Sequence, residues 1–245
     1  MMESFSAVKP GRARISRASE KNNLSKIRRV FFENGLSIVL FGCFLLFLIG
    51  QGIAGHHEYN DDLQEHGQPA ITFSQYLRSD HFFEATAENW ESEFLQMFAY
   101  VMFTIFLYQK GSSESKTPGE PDAVDREPIK WAKDAPWPVR KGGVILKLYE
   151  NSLTLVFLLL FLGSFMVHAV AGARLQSKDQ ELHGKPAMSV SEYLATSRFW
   201  FEALQNWQSE FLAIGSMVFL SIFLRQKGSP ESKPVDSPHW QTGKD

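Results

Sequence analysis

The chain has 245 residues, a hydrophobic fraction of 44% and a net charge of −2, which are typical of one globular domain or two small ones. Its single cysteine, Cys43, excludes an internal disulfide framework, and its near-neutral charge argues against a nucleic-acid-binding protein. The distribution of charge along the chain is more informative, because long stretches carry no charged residue.

Four stretches contain no Asp, Glu, Lys or Arg. They are Asn34–Ile53, Phe94–Tyr108, Asn151–Ala171 and Phe211–Leu224. A bilayer core about 30 Å thick needs about 20 apolar helical residues, which the first and third stretches supply directly. The second and fourth are long enough if Trp90 and Trp207 lie in the headgroup layer, where amphipathic aromatic rings are favoured. A soluble helix bundle is the alternative, but its helices would each show a polar face at helical spacing.

We therefore predict four membrane spans, at about 34–53, 90–108, 151–171 and 207–224. The segments that join them alternate in charge, with 20 Lys and Arg in the first, third and fifth against 5 in the other two. Because cytoplasmic segments retain positive charge, both termini and the central linker are expected in the cytoplasm. A cleaved signal peptide would have an apolar core of about 7–15 residues, shorter than the first stretch.

The chain contains an internal duplication. Residues 33–116 align without a gap with residues 150–233, at an offset of 117, with 34 identities in 84 positions. Each unit has two spans, so both units cross the membrane in the same direction. The sequence thus predicts an all-α integral membrane protein, with four transmembrane helices as two parallel two-helix repeats related by a pseudo-two-fold axis.

Three further segments complete this organisation. They are a basic cytoplasmic N-terminal segment at 1–32, a Pro-rich cytoplasmic linker at 117–149 and a cytoplasmic tail at 234–245. The proline content and mixed charge of the linker and the tail predict tethers without packed structure of their own.

The repeated block reads HGQP, then YL, then ENWESEFLQM in the first unit. It resembles a family of bacterial four-span membrane proteins classed as a domain of unknown function. The resemblance covers nearly the whole chain and implies an integral protein of the bacterial plasma (inner) membrane. It implies no activity, cofactor or binding residue.

Each outer loop has about 39 residues, too long for a bare turn. Gly67 and Gly184 are each followed two residues later by proline, a helix stop signal. We therefore expect the first and third spans to continue outside as helix, to about His66 and about His183.

New helices are expected after these stops. Thr72-x-x-Gln75 and Ser189-x-x-Glu192 each fit a capping box, in which two side chains satisfy exposed backbone N–H groups. The resulting helical extracytoplasmic loops either lie at the outer interface as amphipathic helices or form a cap packed on itself.

Two Asp–His pairs are the strongest candidates in the sequence for a metal site. Asp62 with His66, and Asp179 with His183, are spaced i, i+4 and so share one helix face. A two-fold arrangement would offer two imidazoles and two carboxylates to one metal ion. The simpler interpretation is a local hydrogen bond near each helix end, and no cofactor is predicted.

Two carboxylates lie at the extracytoplasmic ends of the second and fourth predicted spans. Glu93 and Glu210 lie there, close to Asn89 and Asn206 respectively. An ionisable group at this depth is a candidate for ion attraction or proton transfer. The alternative is a carboxylate favoured by the dipole at a helix N-terminus.

Three other polar residues have simpler interpretations. Trp90 and Trp207 are expected to be interface anchors. His168, near the outer end of the third span, is expected to form a helix–helix hydrogen bond.

These features favour a non-enzymatic structural or envelope-associated protein that binds a partner or lipid through its outer helical caps. A small ion or solute transporter or channel, acting as an oligomer, is the first alternative. A membrane enzyme with an outer metal site is the second. The expected partners are the lipid bilayer and a second copy or another membrane or envelope protein, with no nucleic acid.

Overall fold

The computed structural model describes residues 11–117, 119 and 122–243, with side chains from residue 26 onward. Parts of the predicted basic segment, linker and tail therefore lie outside the described residues. The described residues are helical and contain no strand. The helices are α1 (Gly11–Glu65), α2 (Phe73–Tyr76), α3 (Asp80–Phe106), a 3-10 turn (Ala123–Asp125), α4 (Trp137–Lys141), α5 (Gly143–Glu150), α6 (Ser152–Leu182), α7 (Val190–Leu194) and α8 (Ser197–Leu220).

Two of these helices are long and apolar enough to cross a membrane. They cover Lys26–Glu65, with a mean hydropathy of 2.3, and Ser152–Leu182, with a mean hydropathy of 2.4. Only 6% and 17% of their most apolar 18-residue windows are buried, whereas the core helix of a soluble protein is mostly buried. These helices contain the first and third predicted spans, and the other two spans stay predictions.

The chain divides into two compact units, the first up to Phe73 and the second from Ser74. In the first unit, α1 departs from helical geometry at Asn34 (φ −125°, ψ 17°), whose side-chain amide donates to the carbonyl of Val30 at 3.0 Å. This kink falls at the start of the first predicted span. Beyond it, α1 continues to Glu65, as the stop signal at Gly67 predicts.

The second unit is built around α3, α6 and α8. Its apolar core contains the fully buried side chains of Ala169 and Ala173 on α6, Tyr193 on α7 and Phe199 on α8. The Phe199 ring packs edge-on against Tyr193, with ring centroids 5.6 Å apart. The short helix α7 is thereby held against α6 and the first turns of α8.

Helix ends recur at the interval of 117 residues found in the sequence. The pairs are Glu65 and Leu182 at the ends of α1 and α6, Phe73 and Val190 at the starts of α2 and α7, and Asp80 and Ser197 at the starts of α3 and α8. Gly67 follows the end of α1 and Gly184 follows the end of α6, with φ of 68° and 69°. This is a left-handed conformation that glycine adopts without steric cost. The capping box predicted at Ser189 and Glu192 is present.

The segment after each stop is held against its helix in the same way. In the first unit, the Asn60 amide accepts from the Ile71 N–H at 2.8 Å and donates to the Ile71 carbonyl at 3.1 Å. In the second unit, the Ser177 hydroxyl accepts from the Met188 N–H at 2.9 Å and donates to its carbonyl at 3.0 Å. One side chain thus satisfies both backbone groups of a residue that has no helical partner.

The tail is more ordered than its proline content predicts. The buried ammonium of Lys233 donates to the carbonyls of Gly111 at 2.6 Å and Gln241 at 2.8 Å, and to those of Pro238 and His239 at longer range. A buried charge needs such acceptors, so the tail folds around this lysine and against Gly111 at the end of the first repeat. The expectation of an unpacked tether is wrong for the tail, and for the linker it stays a prediction.

Gly172 on α6 is required by the close approach of Tyr193. A Cβ atom at position 172 would lie 2.5 Å from the Tyr193 ring and hydroxyl, whereas one at Gly163 on the same helix would meet nothing within 4 Å. We expect Gly172→Ala to lose about 1–3 kcal/mol of unfolding free energy through overpacking. Gly163→Ala, the matched control, should be neutral or gain up to about 1 kcal/mol from helix propensity.

Thermal unfolding of the detergent-solubilised chain, followed by circular dichroism, measures both changes. Equal melting temperatures for the two variants would contradict the close packing of Tyr193 on α6.

Candidate functional site

Three glutamates follow one another on a single face of α3. Glu84, Glu88 and Glu91 are spaced i, i+4 and i+7, which places them on the same side of the helix. Glu84 and Glu91 are buried, and Glu88 is half-buried. Charged side chains are rarely buried without partners, so this face must meet basic or donor groups from other helices.

Glu91 joins α3 to both α6 and α8. One of its carboxylate oxygens, Oε2, forms a hydrogen bond of 2.8 Å with Nδ1 of His168 on α6, and both side chains are fully buried. Its other oxygen, Oε1, accepts from the indole N–H of Trp207 on α8 at 3.0 Å. Each oxygen of this buried carboxylate therefore has a donor, which offsets the cost of removing the charge from water.

The other ring nitrogen of His168 has no hydrogen-bond partner among the described residues, although it is buried. This Nε2 atom faces Oε2 of Glu202 on α8 at 3.6 Å, a distance longer than a hydrogen bond. The imidazole ring lies against the ring of Phe199, with centroids 4.8 Å apart. His168 is thus fixed between two carboxylates, with one short contact and one long one.

Glu202 is the best-paired carboxylate of this cluster. It accepts hydrogen bonds of 2.8 Å from the Tyr193 hydroxyl and from Nε of Arg198. Burial by itself would raise the pKa of Glu202, but the nearby His168 ring and the donors on Arg198 and Tyr193 outweigh it and lower the pKa to about 2. Glu202 is therefore ionised throughout the physiological range.

Glu84 is poorly paired by comparison. The Tyr193 hydroxyl lies 3.4 Å from its Oε1 atom, and Nη2 of Arg198 lies 3.8 Å away. Burial, followed by the negative charge of Glu202, raises the pKa of Glu84 to about 7. Burial also raises the pKa of Glu88, which accepts a short hydrogen bond from the Asn206 amide.

The cluster therefore contains four carboxylates and two basic side chains. We call it the glutamate–histidine cluster; its members are Glu84, Glu88, Glu91, His168, Arg198 and Glu202, with Tyr193, Asn206 and Trp207 as neutral donors. Negative groups outnumber positive ones in this cluster, and Glu84 is the member whose pKa is raised to about 7, into the neutral range.

The predicted residues of the fourth span divide between this cluster and other roles. Asn206 and Trp207 belong to the cluster, so the Trp207 indole binds Glu91 in addition to any role as an interface anchor. Glu210 is engaged through its backbone, since its carbonyl accepts from the Gln96 side chain at 2.9 Å.

The corresponding residues of the second span lie outside the cluster. Glu93 is exposed, and the Asn89 amide donates to the Ala85 carbonyl of its own helix at 2.8 Å. Trp90 is also exposed.

The two Asp–His pairs are exposed and lie in different units. Nδ1 of His66 bonds to the backbone carbonyl of Asp62 at 2.9 Å, and Nδ1 of His183 bonds to that of Asp179 at 2.8 Å. These are the local contacts of the simpler interpretation. In the part of the chain that the structure describes, no three His, Cys, Asp or Glu side chains are grouped so as to hold a metal ion. The shared metal site stays a prediction.

Sequence reasoning missed most of the glutamate–histidine cluster, although the duplication contains a signal for it. At the equivalent positions of the other unit, Glu84, Glu88 and Glu91 are replaced by the uncharged Phe201, Gln205 and Gln208. His168, Arg198 and Glu202 likewise correspond to Gln51, His81 and Ala85. Three of these residues thus belong to the first repeat and three to the second, and none has the same residue at the equivalent position of the other repeat. Such differences mark positions whose role goes beyond the shared scaffold.

Comparison with known proteins identifies one family. Its model, described as a domain of unknown function (DUF6766), matches residues 27–244. No curated protein and no solved structure matches the chain.

Replacing Glu91 tests the central contact of the cluster. Glu91→Ala leaves the buried His168 ring and Trp207 indole without their acceptor, and we expect a loss of about 3–5 kcal/mol of unfolding free energy. Glu93→Ala, two residues further on the same helix but exposed, should change it by no more than about 0.5 kcal/mol. Denaturant unfolding in detergent measures both, and similar losses would contradict a special role for Glu91.

The raised pKa of Glu84 predicts a pH-dependent stability. Because this pKa rises from 4.5 to about 7 on folding, the native chain binds a proton that the unfolded chain has released between these values. Stability from this group is therefore lost as the pH rises through that window. In Glu84→Gln, which cannot titrate, the melting temperature should fall less between pH 5 and pH 8 than in the unmodified chain. Glu93→Gln is the control, and an unchanged pH dependence in Glu84→Gln would exclude the assignment.

Proposed function

Because the chain belongs to the DUF6766 family, whose function is unknown, we propose its function from its own residues. We infer a non-enzymatic, four-span protein of the bacterial plasma membrane, with both termini cytoplasmic, that binds lipid or an envelope partner through its outer helical caps.

The exposed apolar surface of α6 is the observation that carries this proposal. Large side chains along this helix are between about a third and two thirds exposed; they include Leu153, Val156, Leu159, Leu162 and Met166. Water-soluble monomers rarely expose contiguous apolar patches larger than a few hundred Å². A helix of mean hydropathy 2.4 with so little burial is stable when lipid, not water, surrounds it.

Two further helices supply the remaining spans in this proposal. From Trp90 to Phe106, α3 supplies 17 residues of its span, and from Trp207 to Leu220, α8 supplies 14, about 26 Å and about 21 Å at 1.5 Å per residue. The residues that follow each helix, to 108 and to 224, complete the crossing of a core of about 30 Å. Exposed aromatic residues lie within the part of each helix that is assigned to the membrane, such as Phe103 on α3 and Phe219 on α8. The recurrence of helix ends at 117 residues supports two parallel repeats.

The outer caps offer apolar side chains at the expected membrane surface. Trp200, Phe201 and Leu204 are exposed on the first turns of α8, just before the predicted span. Aromatic side chains are favoured at that depth, which supports an interfacial cap that contacts lipid or a membrane partner.

The glutamate–histidine cluster favours a static role over the transport alternative. Both oxygens of Glu91 are engaged by donors from two other helices, so the carboxylate serves as a link among them. Glu93, one of the two carboxylates considered for transport, is exposed and outside this link.

Reporter fusions test the proposed topology. A reporter fused after Lys116 should be cytoplasmic, and reporters inserted after Gln68 and after Lys185 should be extracytoplasmic, because basic segments stay inside. A fusion at Lys116 that is extracytoplasmic would invert the orientation, and a chain recovered in the soluble fraction would overturn the membrane proposal.

The same purified chain, reconstituted in liposomes, tests the non-transport role. Proton or potassium flux above that of empty liposomes would replace it with the transport alternative.

A further inference from the structure

An apolar groove runs between α3 and α6, on the second unit. Phe83 of α3 and Met166, Val167, Val170 and Ala171 of α6 line it. The first three of these side chains are exposed. The groove is separate from the glutamate–histidine cluster, whose histidine, His168, is buried on another face of α6.

Charged residues close the outer end of this groove. Asp80 and Arg174 line it there, with Nη1 of Arg174 3.7 Å from the Asp80 carboxylate. One turn further along α6, Nζ of Lys178 lies 2.6 Å from the same carboxylate. Two cations thus share one anion, which leaves a net positive charge, and their side chains are 69% and 58% exposed.

The groove runs from inside the third predicted span, which ends at about residue 171, to the basic residues just beyond that end. Met166 and Arg174 are eight residues apart on α6, a distance of about 12 Å along a helix that rises 1.5 Å per residue. One leaflet contributes about 15 Å to a hydrocarbon core of about 30 Å. An acyl chain that lies along the groove therefore brings its phosphate to the level of the two basic residues.

We propose that this groove binds an anionic phospholipid of the outer leaflet, with its acyl chain along Met166, Val167 and Val170 and its phosphate on Arg174 and Lys178. The proposal rests on the membrane location and topology inferred above. The guanidinium of Arg174 can present two parallel N–H groups to a phosphate, and its long, exposed contact with Asp80 costs little to exchange.

The duplication predicts a stoichiometry of one such lipid per chain. At the positions equivalent to Arg174 and Lys178, the first unit has His57 and Asp61, which do not form a cationic pair. The cationic end of the groove therefore occurs once in the chain.

Native mass spectrometry of the full chain in detergent tests this inference. With added phosphatidylglycerol we expect one bound lipid per chain, and weaker binding of phosphatidylethanolamine, whose headgroup has no net charge. Each basic residue near a membrane surface contributes about fivefold to anionic lipid binding, so Arg174→Gln with Lys178→Gln should weaken phosphatidylglycerol binding about 30-fold.

The matched control removes the same charge elsewhere. Lys130→Gln with Lys133→Gln changes two exposed lysines of the linker and should leave the bound phosphatidylglycerol unchanged. Equal binding of both lipids, or equal effects of the two double variants, would overturn the lipid site. If the reporters place the chain in the membrane and the lipid result fails, only this inference fails; a soluble chain would overturn both.

Discussion

The contact between Glu91 and His168 is the constraint on which the second unit depends. A fully buried carboxylate is tolerated only when each of its oxygens has a donor, and here the donors come from two other helices. α3, α6 and α8 must therefore keep one register along their axes. Around that contact, Tyr193 brings α7 to Glu202, and the absence of a side chain at Gly172 leaves room for the Tyr193 ring.

The duplicated scaffold and the glutamate–histidine cluster follow different rules. Both repeats share their helix ends and their left-handed glycines. They also share a side-chain contact with the following segment, from Asn60 to Ile71 in one and from Ser177 to Met188 in the other. Each of these features satisfies backbone groups that every copy of this helix arrangement exposes. The charged side chains of the cluster differ between the repeats, since each repeat contributes three that the other does not have at the equivalent position. Burial raises the pKa of Glu84 to about 7, whereas the equivalent position of the second repeat has the uncharged Phe201.

The described part of the second unit has charged groups buried inside and apolar side chains exposed outside along α6. Water would penalise the second feature, because it cannot favourably solvate a large apolar surface. In the proposed membrane location, lipid would cover that surface. The same distribution brings Arg174 and Lys178 to the outer end of an apolar groove, where the headgroup of a lipid would complete the pairing that Asp80 provides only in part.

The sequence by itself determined the features that depend on neighbouring residues. The stop at Gly67, the capping box at Ser189 and the apolar length of α6 follow from rules that act within a few positions, and the structure contains all three. Only the tertiary structure decided the partners of charged side chains. Glu91 lies 77 positions from His168, and Lys233 lies 122 positions from Gly111, so no local pattern specifies either contact. The physical reason is that burying a charge requires donors or acceptors from other segments, and those segments meet only when the helices pack.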